Sequence, residues 1–424
     1  MIYENSYDMI GNTPLLKIPE SVHGIKGLKV YAKLEMMNPY GSIKDRIAKQ
    51  MLLPHISKVK KKGMTVLESS SGNTAKALAI LCSMNGVPFK TITNRIKVSH
   101  IRDSLNLLGA DVTELPGYAE CPDPTNPESP QALIEKMEDS EPETYFHTDQ
   151  YFNEDNIKAH ESSGDEINSD LGDIDYIFAD LGTCGSSIGI GRRLREVQKK
   201  KVSVEGVITS EGGYVPGGRN ENELFETGFF DKDFYDNIIK DSTESAIKGM
   251  SELHSKVGLL CGPTTGLVYS ALKRRFMEKK PKKGQIAVFI ACDRMEPYMD
   301  YIKRYSSKNF EEDSQDLKDY KEVDPSEVDL KRDLVIDIRS NFAFRMSHIE
   351  GSINLPKHLL EEMVSSGPSL PDKRIVIVCP VGSKSRNLSA LLRRQGYDSY
   401  NLKGGLKAWM SEGFKVVSSD ACLC

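Results

Sequence analysis

Short apolar runs alternate with stretches of helical length through most of this chain. The strand candidates are KVYAKLE, MTVLESS, VPFKTIT, DVTELPG, DYIFADLG, VEGVITSE and QIAVFIAC. Helical stretches such as GNTAKALAILCSMNG and TTGLVYSALKRRFMEKK lie between them. Strands joined through helices need crossover connections, which make neighbouring strands parallel. The sequence therefore predicts an α/β fold with mostly parallel sheets.

The alternation breaks near residue 300 and then resumes on a smaller scale. The stretch YSSKNFEEDSQDLKDYKEVDPSE is charged and poor in large aliphatic residues, as is typical of a linker. After it come LVIDIRS, RIVIVCP, the helical KSRNLSALLRRQG and GGLKAWMSEG. A chain of 424 residues is long for one core. We predict a large domain over residues 1–305, a linker over 306–323 and a small α/β domain over 324–424.

Composition and charge exclude several functional classes. The formal net charge is −5 and the pI is about 6.0, so we expect no nucleic-acid partner. The N-terminal MIYENSYDMIGNTP lacks the basic and apolar regions of a signal peptide, and the apolar runs are too short to span a bilayer. Eight cysteines without the spacing of a disulfide scaffold suit a reducing compartment. We expect a cytoplasmic protein with small-molecule partners and no membrane or metal site.

A lysine and two glycine-rich turns are the candidate chemical features of the large domain. Lys44 lies in NPYGSIKDR, directly after a turn and at the start of a helical stretch, where a rigidly held lysine can serve as a covalent anchor. The turns SSSGNT and GTCGSS each follow a strand and open a helix. Such turns offer backbone N–H groups to an anion, and GTCGSS suits a phosphate. Taken singly, each feature is equally compatible with a surface lysine or a simple tight turn.

The order of the sequence blocks adds a family resemblance. IGNTPLL, KLEMMNPYGSIKDR, SSSGNTAKALA, LGADV, DQYFNEDNIKAHESSGDEI, DLGTCGSSIG and GPTTG together resemble the cysteine synthase / cystathionine β-synthase family over residues 10–301. These are fold type II enzymes that use pyridoxal 5′-phosphate (PLP). The resemblance implies two α/β subdomains with mostly parallel sheets, a PLP cofactor and a homodimer.

The resemblance also implies roles for individual residues. Lys44 would bind PLP covalently and then move the Cα proton, and Asn73 would donate to the ring hydroxyl. Thr264 would face the pyridine nitrogen; a hydroxyl cannot protonate the ring as an aspartate would, so the ring would be a weaker electron sink, favouring β-elimination. Taken alone, Asn73 could be a helix cap and Thr264 a turn residue. The phosphate loop would comprise Gly182, Thr183, Cys184, Gly185 and Ser186, and the substrate carboxylate would be held by Ser70, Ser71, Thr74 and Gln150.

Three positions in the large domain depart from the family pattern, and one of them, Ser70 where threonine is commoner, is a mild change. Cys184 stands where the family usually has glycine, so the backbone there must accept a Cβ atom. Arg219 lies in EGGYVPGGRNENELFETGFF, which does not match the usual specificity loop of acetylserine enzymes. Relatives that use O-phosphoserine also place arginine in this region. Arg219 is therefore either a selector of an anionic substrate group or a surface arginine.

The small domain carries a second resemblance. LVIDIRS, RMSHIEGSINLP, IVIVCPVGSKSR and LKGGLKAW resemble a rhodanese, or sulfurtransferase, domain. Cys379 follows a strand and precedes a helix, where the helix dipole favours a thiolate nucleophile. Cysteine phosphatases need arginine six positions after the cysteine, and Ser385 stands there instead. The resemblance implies a loop containing Cys379, Gly382 and Lys384, where lysine replaces the commoner arginine and puts thiosulfate as donor in doubt. It also gives Asp337 and Arg339 a supporting role and His348 a structural one.

The two resemblances together predict PLP-dependent β-replacement on an activated serine, either O-acetylserine or O-phosphoserine. The product would be cysteine or a related sulfur amino acid, with sulfur carried as a persulfide on Cys379. One alternative is β-elimination from cysteine or another thiol amino acid, with Cys379 accepting the released sulfur. Alternatives of another class are a binding scaffold with degenerate catalysis and, for the small domain, an interaction module.

Overall fold

The computed structural model describes most of the chain. The described residues are 2–94, 96, 98–115, 129–210, 213–220, 223–224, 227–305, 320–356, 359–360, 370–371 and 373–418, without the side chains of 342, 383, 384 and 387. The chain divides into two compact units, Met1–Ser306 and Ser307–Cys424. No described helix combines the length and the apolar character that crossing a bilayer requires.

The first unit contains two sheets. Its strands are β1 (Leu15–Ile18), β2 (Lys29–Lys33), β3 (Thr65–Glu68), β4 (Phe89–Thr93), β5 (Asp111–Glu114), β6 (Tyr145–His147), β7 (Tyr176–Asp180), β8 (Ser203–Thr209), β9 (Asn237–Asp241) and β10 (Ile286–Ile290). The six-stranded sheet has the order β1-β2-β10-β7-β8-β9, and the four-stranded sheet has the order β5-β4-β3-β6. The β1–β2 pair is antiparallel, and the other pairs in both sheets are parallel. The predicted α/β fold with mostly parallel sheets is confirmed.

Helices connect these strands and cover the sheets. They are α1 (Glu20–His23), α2 (Lys44–Leu52), α3 (Ile56–Lys62), α4 (Asn73–Asn85), α5 (Ser99–Leu107), α6 (Pro130–Ser140), α7 (Asp155–Leu171), α8 (Gly185–Val197), α9 (Thr243–Val257), α10 (Pro263–Glu278) and α11 (Met299–Tyr305). Short 3-10 turns occupy Ser6–Met9, Glu35–Met37, Leu53–His55, Lys232–Phe234 and Glu296–Tyr298. Each sheet packs its aliphatic side chains against the helices in a separate core, Ile177 and Ile188 lying in one and Val66 and Leu78 in the other.

Glycines allow helix α7 to pack closely against helix α8. A Cβ atom built on Gly189 would lie 2.2 Å from the Ile157 carbonyl oxygen, and one on Gly185 would lie 2.0 Å from Asn156 Oδ1. A Cβ atom on Gly164, on the facing helix, would lie 2.9 Å from Arg193 Cβ. Real side chains do not approach so closely. The position of helix α8 therefore depends on glycines, which place no side chains in this contact.

The second unit is a small α/β domain. Its strands are β11 (Lys321–Val323), β12 (Leu334–Asp337), β13 (His348–Ile349), β14 (Ile353–Asn354), β15 (Ile375–Val378), β16 (Ser399–Leu402) and β17 (Val416–Val417). Its helices are α12 (Asn341–Met346), α13 (Ser383–Arg394) and α14 (Gly405–Ser411), with a 3-10 turn at Pro325–Glu327. A parallel sheet has the order β11-β16-β15-β12-β14, and β13 pairs with β17 antiparallel.

The end of the predicted linker differs from the structure. Lys321–Val323, placed in the linker from the sequence, form strand β11, which pairs in parallel with β16 at the edge of the small sheet. Val323 is buried in the core with Trp409 and Leu402. The strand is short and charged at its start, so its composition does not distinguish it from a linker. Residues 306–319 of the predicted linker lie outside the described residues.

Candidate active site

Lys44 is held by a hydrogen-bonded turn at the start of helix α2. Ser42 Oγ accepts a hydrogen bond from the Lys44 backbone N–H at 3.2 Å and donates to Asp45 Oδ1 at 3.2 Å. Tyr40 N–H donates to Asp45 Oδ2 at 2.7 Å. Burial raises the pKa of Asp45 to about 7, although these hydrogen bonds oppose the rise. Gly41 completes the turn with a φ of 92°, which favours glycine.

A network of buried charges fixes helix α2 behind Lys44. Arg46 Nε donates to Glu35 Oε2 at 2.7 Å, and Arg46 Nη2 donates to Glu166 Oε2 at 2.8 Å. Lys33 Nζ lies 2.6 Å from the same Glu166 oxygen. Burial opposes ionisation of Glu166, but the hydrogen bonds and charges of Arg46 and Lys33 outweigh it and lower its pKa to about 2. Ion pairs thus connect helix α2, which begins with Lys44, to the end of β2 and to α7.

Lys44 opens into a cavity, called here the mouth, that gathers residues from distant parts of the sequence. Its wall includes the predicted Lys44, Ser70, Ser71, Asn73, Thr74, Gln150, Gly182, Thr183 and Arg219, together with Gly72, Val98, Ile101, Tyr151, Tyr214, Pro216, Gly217, Gly218 and Tyr298. The residues predicted to bind the substrate carboxylate therefore lie on the same cavity as the predicted anchor.

The proposed carboxylate-binding side chains are ordered by their own hydrogen bonds. Thr74 Oγ1 donates to Gln150 Oε1 at 2.8 Å, and Gln150 Nε2 donates to the Ser69 carbonyl at 2.9 Å. Ser70 Oγ accepts from two backbone N–H groups, those of Gly72 and Ala75, each at 3.3 Å. Ser70 thus braces the first turn of α4 and keeps its own O–H available as a donor.

The loop before helix α8 is built from residues with little or no side-chain bulk. A Cβ atom on Gly182 would lie 2.7 Å from the Gly217 carbonyl oxygen, and Gly185 has no room for one against Asn156. Asn156 Nδ2 donates to Thr183 Oγ1 at 3.1 Å and so fixes the loop. The loop leads into the positive end of a helix, where backbone N–H groups bind anions. Gly182, Thr183, Cys184, Gly185 and Ser186 form this loop and helix start.

Cys184 occupies the N-cap position of α8 in a left-handed conformation. Its φ is 67°, a conformation that favours glycine. Its side chain is buried, and Sγ accepts a hydrogen bond from Thr227 Oγ1 at 3.8 Å. Burial raises the pKa of the Cys184 thiol. The thiol is therefore neutral and packed into the protein rather than poised as a nucleophile.

A second recess, called here the floor, shares Lys44, Asn73, Gly182, Pro216 and Gly217 with the mouth. Its wall also includes Ile43, Asp180, Ser186, Thr264, Cys292 and Asp293. Thr264 lies on this floor, and its hydroxyl donates to the Pro216 carbonyl at 2.9 Å.

Asn73 is hydrogen-bonded to the protein rather than capping its helix. Its Nδ2 donates to Asp293 Oδ2 at 2.9 Å and to Tyr298 Oη at 3.1 Å, and the Tyr298 hydroxyl donates to the same Asp293 oxygen. No side-chain capping bond forms at the start of α4. The donation of Asn73 to the ring hydroxyl of the cofactor stays a prediction.

Sequence reasoning missed the acidic residues of the floor. Asp180 ends strand β7, and Cys292 Sγ donates to Asp180 Oδ1 at 3.0 Å. Burial raises the pKa of Asp180, which the charge of Lys44 partly opposes, and burial also raises the pKa of Asp293 to about 6. A carboxyl residue at the end of an apolar strand was visible in DYIFADLG and AVFIACD. A carboxyl residue at the end of an apolar strand is the signal that could have found both, and Asp180 also stands beside a glycine turn.

His160 is a further buried titratable group near Lys44. Burial, followed by the charges of Lys44 and Arg46, holds the pKa of His160 well below its usual range. Neither of its ring nitrogens has a hydrogen-bond partner among the described residues. The imidazole is therefore neutral and adds no positive charge to the surroundings of Lys44.

The loop of the second unit surrounds the sulfur of Cys379. The cysteine directly follows β15 and is 1% exposed. Gly382 N–H donates to Sγ at 3.1 Å, and Ser385 Oγ lies 3.1 Å from Sγ and 2.5 Å from Asn401 Oδ1. Gly382 has a φ of 81°. The loop thus directs a backbone donor and a hydroxyl at the sulfur.

The residues predicted to support this loop have defined contacts. Arg339 forms a two-pronged ion pair with Asp337, with Nε–Oδ1 at 2.9 Å and Nη2–Oδ2 at 2.6 Å, and Nη2 also donates to the Ser347 carbonyl. The imidazole of His348 stacks on Phe344 and its Nδ1 lies 2.9 Å from the Phe344 carbonyl oxygen, contacts of a structural histidine. Lys384 lies in helix α13, but its side chain is outside the described residues.

Comparison with known proteins identifies both units. Residues 7–293 match the family model described as pyridoxal-phosphate dependent enzyme. The chain belongs to this family of PLP enzymes. Residues 317–412 match a second family model, described as rhodanese-like domain. Both predicted resemblances are confirmed, as is the PLP cofactor.

Relatives of the PLP enzyme include cysteine synthases. Cysteine synthase B of Salmonella typhimurium is 31% identical, over 68% of this chain and 92% of that protein. The crystal structure of a cysteine synthase from Entamoeba histolytica has a TM-score of 0.62 at 27% identity and covers 70% of this chain and 90% of that one. A hydrogen sulfide-producing enzyme from Fusobacterium nucleatum has a TM-score of 0.61 at 26% identity, with 70% and 99% covered. The chain is a PLP-dependent, cysteine synthase-like enzyme with a rhodanese-like domain.

The mouth and the floor fit the cofactor of the family. Lys44, the predicted point of covalent attachment, lines both cavities, and a loop of small residues lies at a helix N-terminus where the phosphate can bind. A Cβ atom on Gly182 would collide with the Gly217 carbonyl oxygen and one on Gly185 with Asn156, so the loop needs glycine at both positions. The site therefore offers a lysine for the aldehyde of PLP and a loop at a helix N-terminus for its phosphate.

Proposed function

We propose that the first unit catalyses β-replacement on an activated serine to make cysteine or a related sulfur amino acid. The observation that carries this proposal is the mouth itself. Lys44 shares it with the Ser70–Ser71 turn, with Thr74 and Gln150, and with Arg219. An anchor, a carboxylate-binding turn and an anion-binding arginine on one cavity are what an amino-acid substrate with an anionic leaving group requires.

The residues that line the mouth have separate roles in the proposed reaction. PLP bound at Lys44 supplies an electron sink for the negative charge that develops at the substrate Cα. The Lys44 amine, which lines both the mouth and the floor, would be the base that removes the Cα proton and returns it. Ser70, Ser71, Thr74 and Gln150 hold the carboxylate, and this fixes the Cα–H bond toward Lys44. The β-substituent then leaves with its bonding electrons, and a thiol, sulfide or persulfide adds in its place.

Arg219 supports O-phosphoserine as the activated serine. Its side chain is 4% exposed, lies on the mouth, and is placed over the Tyr151 ring with its Cζ atom 5.4 Å from the centroid. Arg219 Nη1 donates to the Glu223 carbonyl at 2.8 Å, which orients the guanidinium. A buried and oriented guanidinium binds phosphate through charge-assisted hydrogen bonds. O-acetylserine is the alternative activated serine.

For the second unit we propose sulfur transfer through a persulfide on Cys379. The support is the arrangement of Gly382 N–H and the Ser385 hydroxyl around Sγ. A thiol reductant would release the outer sulfur of this persulfide as sulfide and would itself end as a disulfide, and the first unit would then incorporate the sulfide.

A second candidate runs sulfur in the opposite direction. The first unit would eliminate sulfide from cysteine, and Cys379 would accept it as a persulfide with an oxidised co-substrate such as a disulfide. The specific observation in its favour is the fold shared with the hydrogen sulfide-producing enzyme of Fusobacterium nucleatum.

Substrate profiling of the full-length holoenzyme tests these proposals. O-phosphoserine, O-acetylserine and cysteine are each supplied, with sulfide added to the two activated serines, and cysteine, phosphate, acetate and sulfide are quantified. We expect cysteine and phosphate to form fastest from O-phosphoserine. Sulfide release from cysteine that outpaces both replacements would establish the second candidate instead.

Variants assign the two central roles. Lys44→Ala should lose the visible band of the covalently bound cofactor together with turnover; a variant that keeps both would exclude Lys44 as the anchor. Arg219→Ala should lower kcat/KM for O-phosphoserine by about tenfold to a hundredfold, as expected for a charged hydrogen bond, and affect O-acetylserine much less. Arg193→Ala, which removes an exposed arginine paired with Asp165, is the matched control. Equal losses with both substrates would make Arg219 a structural residue.

We further propose a homodimer in a reducing cytoplasm. The cysteines that the structure describes, Cys82, Cys184, Cys261, Cys292 and Cys379, are all free thiols, which supports the reducing compartment. The dimer rests on the family resemblance, and light scattering of the purified protein measures it directly.

A further inference from the structure

A chain of polar side chains, called here the relay, connects the sulfur of Cys379 with the edge of the small sheet. Ser385 Oγ lies 3.1 Å from Cys379 Sγ and 2.5 Å from Asn401 Oδ1. Asn401 Nδ2 donates to Glu322 Oε1 at 2.9 Å. Ser385 and Asn401 are fully buried, whereas Glu322 is partly exposed on strand β11. The sulfur transfer proposed above gives Asn401 and Glu322 no role.

Three elements of the second unit form the relay. Glu322 of β11 and Asn401 of β16 are directly paired in the parallel register, so their side chains lie on the same face of the sheet. Helix α13 packs on this face, where Ser385 contacts Asn401 and Ser389 Oγ lies 3.4 Å from Ser399 Oγ. The position of the Ser385 hydroxyl therefore depends on both edge strands and on the helix.

The hydrogens of the relay follow from the chemistry of its groups. Glu322 pairs with Arg386, whose Nε lies 3.1 Å from Oε1, so its carboxylate is an acceptor only. The carboxylate therefore faces the Nδ2 end of the Asn401 amide, and this leaves Oδ1 toward Ser385. A serine hydroxyl has one hydrogen, and the shorter contact, with Asn401 Oδ1, takes it. The Ser385 oxygen then presents lone pairs to Cys379, which favours the neutral thiol as a donor.

Ionisation of Cys379 requires a different arrangement of these hydrogens. A thiolate only accepts hydrogen bonds, so the Ser385 hydroxyl must turn its hydrogen from Asn401 to Sγ, while the thiol proton goes to solvent. Asn401 Oδ1 would then lose its hydrogen in a buried site, which is unfavourable. The amide oxygen and the thiolate therefore compete for one hydrogen.

We propose that Glu322 and Asn401 are positioning residues that direct the Ser385 hydrogen away from the sulfur and so keep unloaded Cys379 as a neutral thiol. In a persulfide the negative charge lies on the outer sulfur, so Sγ does not need this hydrogen and the relay can stay intact. The relay thus disfavours the free thiolate and leaves the loaded cysteine unaffected. The proposal rests on Cys379 being the sulfur carrier, as in the proposed function.

Other charges around the loop also affect the ionisation of Cys379. Among the described residues, the charged groups on the flanking elements are Asp337 at the end of β12, Arg339 after it, Arg386 on α13, Lys403 before α14 and Lys407 on α14. Lys384 also flanks the loop, with its side chain outside the described residues. Glu322 itself would disfavour a nearby thiolate through space. Its charge must therefore be separated from its hydrogen bond to Asn401.

The ionisation of Cys379 provides the first test. The reduced full-length holoenzyme is labelled with ¹³C at the Cβ atoms of its cysteines, the Cys379 signal is assigned by its loss in Cys379→Ser, and its chemical shift is followed against pH. Asn401→Leu removes the competing acceptor and should lower the pH midpoint by about one unit, a tenfold larger thiolate fraction, as expected for one buried hydrogen bond. An unchanged or raised midpoint would overturn the proposal.

A conservative variant keeps this test decisive if Asn401→Leu does not fold. Glu322→Gln changes a partly exposed residue and frees the Asn401 amide to reverse, so that Nδ2 donates to Ser385 and the hydroxyl turns to the sulfur. The midpoint should again fall, and an unchanged midpoint would exclude Glu322 from the relay. Glu350→Gln removes an exposed carboxylate paired with Lys415 in the same unit. It is the matched control and should leave the midpoint unchanged.

A second serine variant separates the hydrogen bond from the charge. Ser385→Ala removes the hydrogen for which Asn401 and the sulfur compete. In this background, Asn401→Leu and Glu322→Gln should each change the midpoint by less than about 0.3 pH units, the limit for independent sites. A shift that persists in the Ser385→Ala background acts through charge or through the structure of the loop, and it would overturn the proposal.

The titration is independent of the proposed sulfur transfer, because no sulfur donor is present. A protein that shows the expected midpoints but transfers no sulfur would refute the proposed function of the second unit and retain the relay. A protein that transfers sulfur but whose midpoint does not respond to Asn401→Leu and Glu322→Gln would refute the relay alone.

Discussion

At the scale of single residues, Cys184 is a side chain held in a conformation that favours glycine. Its φ of 67° places it in the left-handed region at the N-cap of α8. A residue with a Cβ atom loses roughly 1–2 kcal/mol there relative to its preferred conformations. Burial of the thiol against Thr227 offsets part of this cost. The position therefore combines backbone strain with a favourable side-chain contact.

Substitution separates these two effects. Cys184→Ala keeps the strain and loses the thiol contact, whereas Cys184→Gly also removes the strain. We expect the glycine variant to be more stable than the alanine variant by about 1 kcal/mol, or about 2 °C in the unfolding temperature of the first unit. Calorimetry of the full-length holoenzyme measures the difference. An alanine variant as stable as the glycine variant would show that the left-handed backbone carries no cost at this position.

The sequence pointed to some of the residues that line the mouth and the floor and missed others for physical reasons. The predicted Lys44, the turn at Ser70 and the small-residue loop at Gly182 each carry a local signal, a turn or a glycine pattern before a helix. Asp180 was missed because its hydrogen bond comes from Cys292, which follows the neighbouring strand β10 and is distant in the sequence. The direction of the Thr264 hydroxyl also depends on Pro216, far away in the sequence. Local sequence patterns predict which backbone positions can bind a ligand. The direction of a side chain depends on tertiary contacts, which a local pattern does not contain.

At the scale of elements, helix α2 depends on charged contacts for its position. Its Arg46 connects Glu35, beyond the end of β2, with Glu166 of α7. Lys33 of β2 is fully buried and also pairs with Glu166. Since Lys44 begins this helix, the position of Lys44 depends on the charge of Glu166.

The lowered pKa of Glu166 predicts how stability depends on pH. A carboxylate with a folded-state pKa of about 2 and an ordinary unfolded value contributes stability above about pH 4.5, and this contribution is lost as the pH falls from there toward 2. Glu166→Gln should therefore lower the free energy of unfolding by about 2–3 kcal/mol at pH 7. The difference between variant and parent should shrink below pH 4.5.

Urea unfolding followed by circular dichroism at several pH values measures this effect. The control is Glu196→Gln, which removes a carboxylate paired with Arg193 on the exposed surface and should cost less than about 0.5 kcal/mol. A difference between Glu166→Gln and the parent that stays constant between pH 7 and pH 3 would contradict the assigned pKa shift.

The elements themselves were largely predictable where strands are long and apolar. Each strand candidate from the sequence became a strand. All of them except DVTELPG, which forms the edge strand β5, are central strands, and buried central strands need apolar runs. The edge strands β1, β6, β9 and β11 were not predicted; they are short, and an edge strand is covered on fewer sides. For the same reason the sequence placed Lys321–Val323 in the linker, whereas these residues form the edge strand β11.

At the scale of the whole molecule, the chain joins a PLP enzyme and a rhodanese-like domain. Tethering raises the effective concentration of one site near the other to about the millimolar range when the linker is short and flexible. Any sulfur carried on Cys379 would benefit from this proximity.

Coupling between the two units has a measurable signature. Cys379→Ser should abolish sulfurtransfer and lower the rate of cysteine formation from a persulfide donor relative to the rate from free sulfide. The two units expressed separately and mixed at about 10 µM should be slower than the intact chain by up to roughly a hundredfold, and only with the persulfide donor. Equal use of the persulfide donor by Cys379→Ser and the parent would make the second unit an independent sulfurtransferase or a docking module.

The close packing of α7 against α8 limits how this chain can change over evolutionary time. At Gly185 and Gly189 even an alanine would place a Cβ atom within about 2.2 Å of atoms on the facing helix. At Gly189 a mutation cannot be absorbed by a rotamer change, because the nearest atom is the backbone carbonyl oxygen of Ile157. At Gly185 the nearest atoms belong to the Asn156 side chain, which is held by hydrogen bonds to Gln150 and Thr183. Descendants of this gene can replace these glycines only by separating the helices, and helix α8 would then carry the predicted phosphate loop away from Lys44. A saturation mutagenesis library under selection for activity should therefore retain glycine at both positions while varying the exposed faces of the same helices.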